Sequence, residues 1–247
     1  MNTLAHAAPS LWRIQVLEAW FEFLRVLRTP AFAIPSLAFP VVFYVLFAIL
    51  LPGQWGGYQK SAYLLATYGA FGVIGPALFG FGVGLAIERK QGLLELKRVS
   101  PMPPSAYFLA KIAMSLAFAF VVVLLLSAVG VGLGGVSLAP SAWLQLLAVL
   151  MLGTLPFCAL GLFIGTLVQG EAAVAIVNLV YLPMSVLSGL WMPLFAFPVL
   201  IQKLAVVWPA WHLAQMALGV IGQIQGVNYG LHALVLAGMT AALLALA

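Results

Sequence analysis

The sequence predicts an all-α polytopic membrane protein, with six transmembrane helices, an amino-terminal interfacial elbow helix, and re-entrant or interfacial helices before the last span. Three observations lead there. Only 6% of the 247 residues are charged, where a soluble domain carries roughly 25%. Hydrophobic types make up 65% of the chain, which leaves too little polar surface to cover a water-soluble fold. The few charges divide the chain into uncharged runs that can each hold a span of about 20 residues.

Taken in order, the first element is the elbow, expected within 10–30. Gln15, Glu18, Glu22 and Arg25 recur at spacings of three and four, with Leu17, Trp20, Phe21, Leu24 and Leu27 around the rest of the circumference, as in a helix lying in a membrane interface. Pro30 then supplies no amide hydrogen and restricts Thr29, marking the turn into the first span. Spans are placed at 32–51, 62–87, 111–133, 142–168, 172–190 and 228–246. The long uncharged run from 112 to 170 holds two of them, because the glycine-rich stretch closed by Ser137 and Pro140 reads as a turn. The segment 191–215, with Pro193, Pro198, Lys203, Trp208, Pro209 and His212, is too interrupted for a span and too apolar for a free loop, so it reads as re-entrant.

Basic residues set the orientation. Arg13, Arg25, Arg28, Arg89, Lys90, Lys97, Arg98 and Lys111 fall on one side of these spans, and Lys60 and Lys203 on the other, so the positive-inside rule makes both termini cytoplasmic. Trp55, Tyr58, Trp191 and Trp208 then lie in the outer aromatic belt. The net charge of +5 is spread too thinly for a nucleic-acid footprint. A single cysteine, Cys158, and three scattered histidines offer neither a disulfide nor a metal site. Gly130, Gly132, Gly134 and Gly135 are followed by no lysine of a phosphate-binding loop, so no ATPase or other catalytic site is expected here.

Charge is concentrated in one cytoplasmic loop, 88–104, extended to Lys111: seven of the fifteen charged residues lie between Glu88 and Lys111. Residues 91–99 can form a short helix, with Leu93, Leu94, Leu96 and Val99 as apolar contacts and Glu95, Lys97 and Arg98 as polar ones. Glu88 stands at the C-terminal end of a long helix, where the dipole disfavours an anion, so Arg89 or an arginine of a neighbouring element is expected to compensate it. Elsewhere, Gly80 with Gly84 and Gly161 with Gly165 have the spacing of close helix packing in lipid. Glu171 is expected to act as an anion at the start of the fifth span. Asn178 is expected to seek a partner on another helix. His212 and His232 are open to contact with a substrate or with each other.

Glu88, Arg89, Gly92, Glu95, Leu96, Arg98, Val99, Ser100 and Pro101, followed by Tyr107 and Lys111, resemble the loop of ABC type-2 exporter permeases. Leu182, Pro183, Ser188, Gly189 and Pro193 resemble that family's segment at the outer end of the fifth helix, and Arg28, Pro30, Pro40, Phe43, Tyr44 and Phe47 its entrance. The resemblance spans nearly the whole chain as one domain, 1–247. It implies a permease of the bacterial inner (plasma) membrane, working with a second and identical permease subunit and two copies of an ABC ATPase. ATP and Mg would sit on the ATPase, with no cofactor in this chain. Glu88, Arg89, Gly92, Leu93, Glu95, Leu96 and Arg98 would couple to the ATPase, and Asn178, Ser188, Gly189 and Pro193 would serve the path or its gating.

Because no ionised residue is expected well inside a span, the path should be apolar and suit a hydrophobic or amphipathic drug, lipid or other small molecule. Export of a polysaccharide or lipid-linked glycan is the alternative, and a secondary transporter or a non-transporting membrane partner remain further classes.

Overall fold

The computed structural model describes residues 10–51, 57–99 and 102–247. Expectations for Trp55, Ser100 and Pro101 lie outside them, as does the side chain of Arg98. The described residues form helices α1 (Leu11–Leu27), α2 (Pro30–Leu50), α3 (Lys60–Lys90), α4 (Leu93–Arg98), α5 (Pro104–Gly132), α6 (Pro140–Leu167), α7 (Ala172–Leu187), α8 (Val199–Leu204), α9 (Pro209–Val220) and α10 (Tyr229–Leu246). Of these, α2, α3, α5, α6 and α10 are long and apolar enough to cross a membrane. At 16 residues, α7 is shorter than the span 172–190 expected from sequence. It stops because Gly189 takes a left-handed conformation and the Leu190 amide folds back onto the Ser185 carbonyl.

The most buried helix is α3, with 83% of its most apolar window covered by neighbours, whereas α10 has 11% covered and presents the rest outward. Proline shapes the central elements. Pro35 and Pro40 each remove a donor from the ladder of α2, which ends in a π-helical stretch, Val45–Leu50. Pro76 opens a second π-helical stretch, Pro76–Val83, in the middle of α3. There α6 comes in to backbone contact: a Cβ on Gly82 would lie 2.6 Å from the Gly161 carbonyl oxygen, and one on Gly165 would lie 2.7 Å from that of Gly82. The expected glycine packing is therefore real, but Gly82 is the residue of α3 that meets α6. Gly80 faces Met114, and Gly84 comes near the Lys111 ammonium.

Two boundaries differ from the sequence reading in ways that bear on function. Helix α5 begins at Pro104, so Lys111, taken as the first residue of the third span, lies about two turns inside it. Its side chain is fully buried, and the helix begins about two turns before this charge and not at it. Between α7 and α10 run 3-10 turns at Leu194–Ala196 and Ala205–Val207 with α8 and α9, and α9 continues past residue 215 to Val220.

Candidate functional site

Helices α2, α3 and α7 border a groove of about 840 Å³. At one end it is lined by Arg25, Thr29, Glu88 and Gln91, and at the other by Phe43, Phe71 and Trp191. The helical rise from Phe71 to Glu88 makes this roughly 25 Å long. Its walls are mainly apolar, with Phe32, Phe39, Phe79 and Tyr181 between the two ends. Gly75, Gly80 and Gly84 keep side chains out of the middle, and the π-helical stretch of α3 faces this part. The aromatic lining is held by edge and stacking contacts: Phe71 lies 5.0 Å from Tyr181 in a stacked pair, and Trp191 lies 5.4 Å from Phe43 and 5.7 Å from Phe71.

The charged end is built from three helices that do not adjoin in sequence. Glu22 of α1, Glu88 of α3 and Lys111 of α5 are all buried. The Lys111 Nζ donates to Glu22 Oε1 at 2.6 Å and to Glu88 Oε1 at 2.7 Å. Arg25 donates to the same two oxygens, at 2.7 Å to Glu22 and in a short contact to Glu88. The Tyr107 hydroxyl donates to Glu88 Oε2 at 2.8 Å. Two cations thus balance two carboxylates, which is the condition for holding such charges away from water. Burial works against the charge on Arg25, but Glu88 and Glu22 outweigh it and push its guanidinium above its ordinary range.

The short helix α4 attaches to this cluster. Gly92, in the left-handed conformation, ends α3 and turns the chain into α4. Lys97 donates to Glu18 of α1 at 2.5 Å and lies 4.6 Å from the Tyr107 ring centre. Leu93 and Leu94 are half-buried at the root of the loop, Glu95 is exposed, and Leu96 and Val99 are 65% and 85% exposed. An apolar edge of the loop therefore has no cover among the described residues.

The structure separates the expected partners of Glu88. An arginine of a neighbouring element, Arg25, does compensate it, together with Lys111 and Tyr107, which the loop reading left without that role. Arg89 does something else: its Nη1 donates to the carbonyls of Gly165 and Thr166, both at 2.7 Å, satisfying the last turn of α6. Glu171 stands at the N-cap of α7 without a side-chain capping bond and pairs instead with Lys90 at 2.6 Å. That ion pair joins α3 to the start of α7.

Of the residues assigned to a path, Asn178 lines the groove and makes no side-chain hydrogen bond among the described residues. Ser188 is buried beside the C-terminus of α7, its hydroxyl unpartnered among the described residues. Gly189 makes the turn after α7, and buried Pro193 precedes the first 3-10 turn. These last two are near the apolar end without lining it. His212 and His232 meet each other, Nδ1 to Nδ1 at 2.8 Å.

Residues 16–221 match the family described as ABC-2 type transporter. The chain belongs to that family. It is also 28% identical over 202 residues to the protein named "Putative transport permease YvfS" of Bacillus subtilis (strain 168), an alignment covering 79% of this chain and 80% of that one. The ABC-2 match extends from α1 through α9, so the groove, the charge cluster and α4 all fall within it. The protein is thus a multi-pass membrane permease subunit of a transporter, and membership implies association with an ABC ATPase.

Proposed function

We propose that this ABC-2 permease exports a hydrophobic or amphipathic small molecule, drug or lipid along the groove between α2, α3 and α7. The observation that carries the reading is the groove itself, long enough to reach across most of a bilayer core and lined by aromatic and small residues. An apolar cargo enters such a lining at modest desolvation cost, and an inorganic ion does not. In this reading the charged end faces the cytoplasm, as do both termini, in the inner (plasma) membrane. Helix α7 with the turn after it forms the sixth crossing, and α1 is the elbow, its exposed Leu11, Trp12, Trp20 and Phe21 seated in the interface.

A second and identical subunit completes the path, and two ATPase subunits carry the ATP and Mg. Helix α4 docks on the ATPase through Leu96 and Val99, with Glu88, Arg89, Gly92, Leu93, Glu95 and Arg98 forming the rest of the coupling loop. Ser188, Gly189 and Pro193 belong to the outer mouth, which the segment from Pro193 through α9 closes. The single domain 1–247 contains these parts. Export of a lipid-linked glycan is the second reading, favoured by the row of aromatic rings along the groove, on which sugar faces can stack.

The test is reconstitution in proteoliposomes with the ABC ATPase that co-purifies with the chain, following fluorescent lipophilic amines, fluorescent lipids and labelled lipid-linked glycans. ATP-dependent accumulation of the first or second supports the proposal, and transport of glycans alone selects the second reading. The variant Leu96→Asp should insert normally yet lose substrate-stimulated ATP hydrolysis. Wild-type behaviour of that variant would remove α4 from the coupling role.

A further inference from the structure

The charge cluster contains two cations in different situations. Lys111 is fully buried, and both of its carboxylate partners are almost completely so. Arg25 touches the same two oxygens, but 45% of its side chain is exposed and it lines the groove. If Arg25 withdraws, Glu22 and Glu88 still share the Lys111 ammonium, and Glu88 keeps the Tyr107 hydroxyl. Lys111 has no exposed surface of its own. When Arg25 withdraws, each carboxylate therefore keeps one charged partner, whereas loss of Lys111 leaves both to a half-exposed guanidinium.

We infer that Arg25 and the pair Glu22 and Glu88 form an ion-pair gate at the charged end of the groove, with Arg25 as the moving part and Lys111 as the fixed point that keeps the carboxylates in place. The inference rests on the groove being the path. The gate is within reach of α4, because Glu18, one turn before Glu22 and about two before Arg25 on α1, pairs with Lys97. A displacement of α4 pulls on α1 at Glu18 and strains the contacts of Arg25, while Lys111 continues to hold Glu22. Arg25 is a positioning and gating residue here and makes no claim on the chemistry of the cargo.

The experiment measures access to the groove without ATP, ATPase or cargo. Ser36, which lines the groove, is replaced as Ser36→Cys, and its labelling by a charged, membrane-impermeant maleimide is followed in vesicles that expose the charged end. The native Cys158 is 2% exposed and contributes a slow background, measured in the chain without the Ser36 change. Arg25→Gln should raise the labelling rate roughly tenfold, as expected when a minor open state becomes a populated one. Arg28→Gln, which removes the same charge from an exposed residue three positions on, should leave the rate unchanged.

If Arg25→Gln does not give monodisperse protein, Arg25→Lys carries the test with a smaller rise, since Arg25 reaches both oxygens with its terminal Nη2 and the shorter lysine side chain ends one bond sooner. Equal rates in wild type, Arg25→Gln or its lysine substitute, and Arg28→Gln would overturn the gate. Labelling is independent of transport. A chain that transports but shows equal rates refutes the gate alone, and a chain that shows the rise but moves no cargo refutes the path alone.

Discussion

The two ends of the bundle bury polar groups by opposite means. At the charged end, Glu22, Glu88, Lys111 and Arg25 are ionised and balance one another across α1, α3 and α5. Toward the other end, α9 meets α10 through two imidazoles. His212 Nε2 lies 2.9 Å from the Val206 carbonyl and so carries a hydrogen; in the neutral ring its Nδ1 then accepts the His232 Nδ1 hydrogen. Burial pushes the His212 imidazole below its ordinary range, which favours the neutral ring. The difference teaches where strength and mobility can be combined. A set of shared charges survives the withdrawal of one exposed member, whereas a single neutral bond is either made or lost.

The comparison breaks first at Lys111. Lys111→Met leaves two buried carboxylates facing one half-exposed guanidinium and should cost about 3–5 kcal/mol, the range for breaking a buried pair, read as a fall in thermal stability and yield in detergent. Adding Glu22→Gln restores charge balance and should recover much of that loss. Failure of the double variant to recover would mean that α1 depends on the Glu22 contact itself and not on neutrality.

A smaller effect is expected at the histidine pair. His232→Leu removes the donor to His212 Nδ1 and leaves that acceptor buried, at about 1–3 kcal/mol by the same melting assay. A loss as large as that of Lys111→Met would erase the contrast between the ends.

The smallest effect is expected at Lys90 and Glu171, an ion pair exposed on both sides. The hydrogen bond from Lys90 holds the Glu171 carboxyl below its usual range. A group lowered in this way contributes stability above its unfolded pKa and loses it as the pH falls through the folded one. Because Glu171 is fully exposed, salt screens the pair, and Glu171→Gln should leave the melting temperature unchanged in high salt at neutral pH.

Much of the architecture was legible in the chain because lipid imposes a simple rule: long uncharged apolar runs become helices. The elements near 32–51, 62–87, 142–168 and 228–246 all appear within a few residues of where hydropathy puts them. The start of α5 was not legible in the same way. Hydropathy treats Lys111 as a boundary, while the structure compensates it with partners 89 and 23 positions away. The spacing of Glu18, Glu22 and Arg25 marks one face of α1 without saying what that face meets. The polar stripe of α1 faces the buried cluster and Lys97, while its apolar side is exposed.

The membrane class, the helical content and the loop that carries nearly half the charge were decided by composition and order alone, since the transfer of a run of residues into lipid depends on which residue types follow one another along the chain. Which carboxylate meets which cation, which face of α1 is covered, and that α2, α3 and α7 leave a groove between them were decided by packing. Those properties depend on distances between residues far apart in sequence, and no local periodicity encodes them.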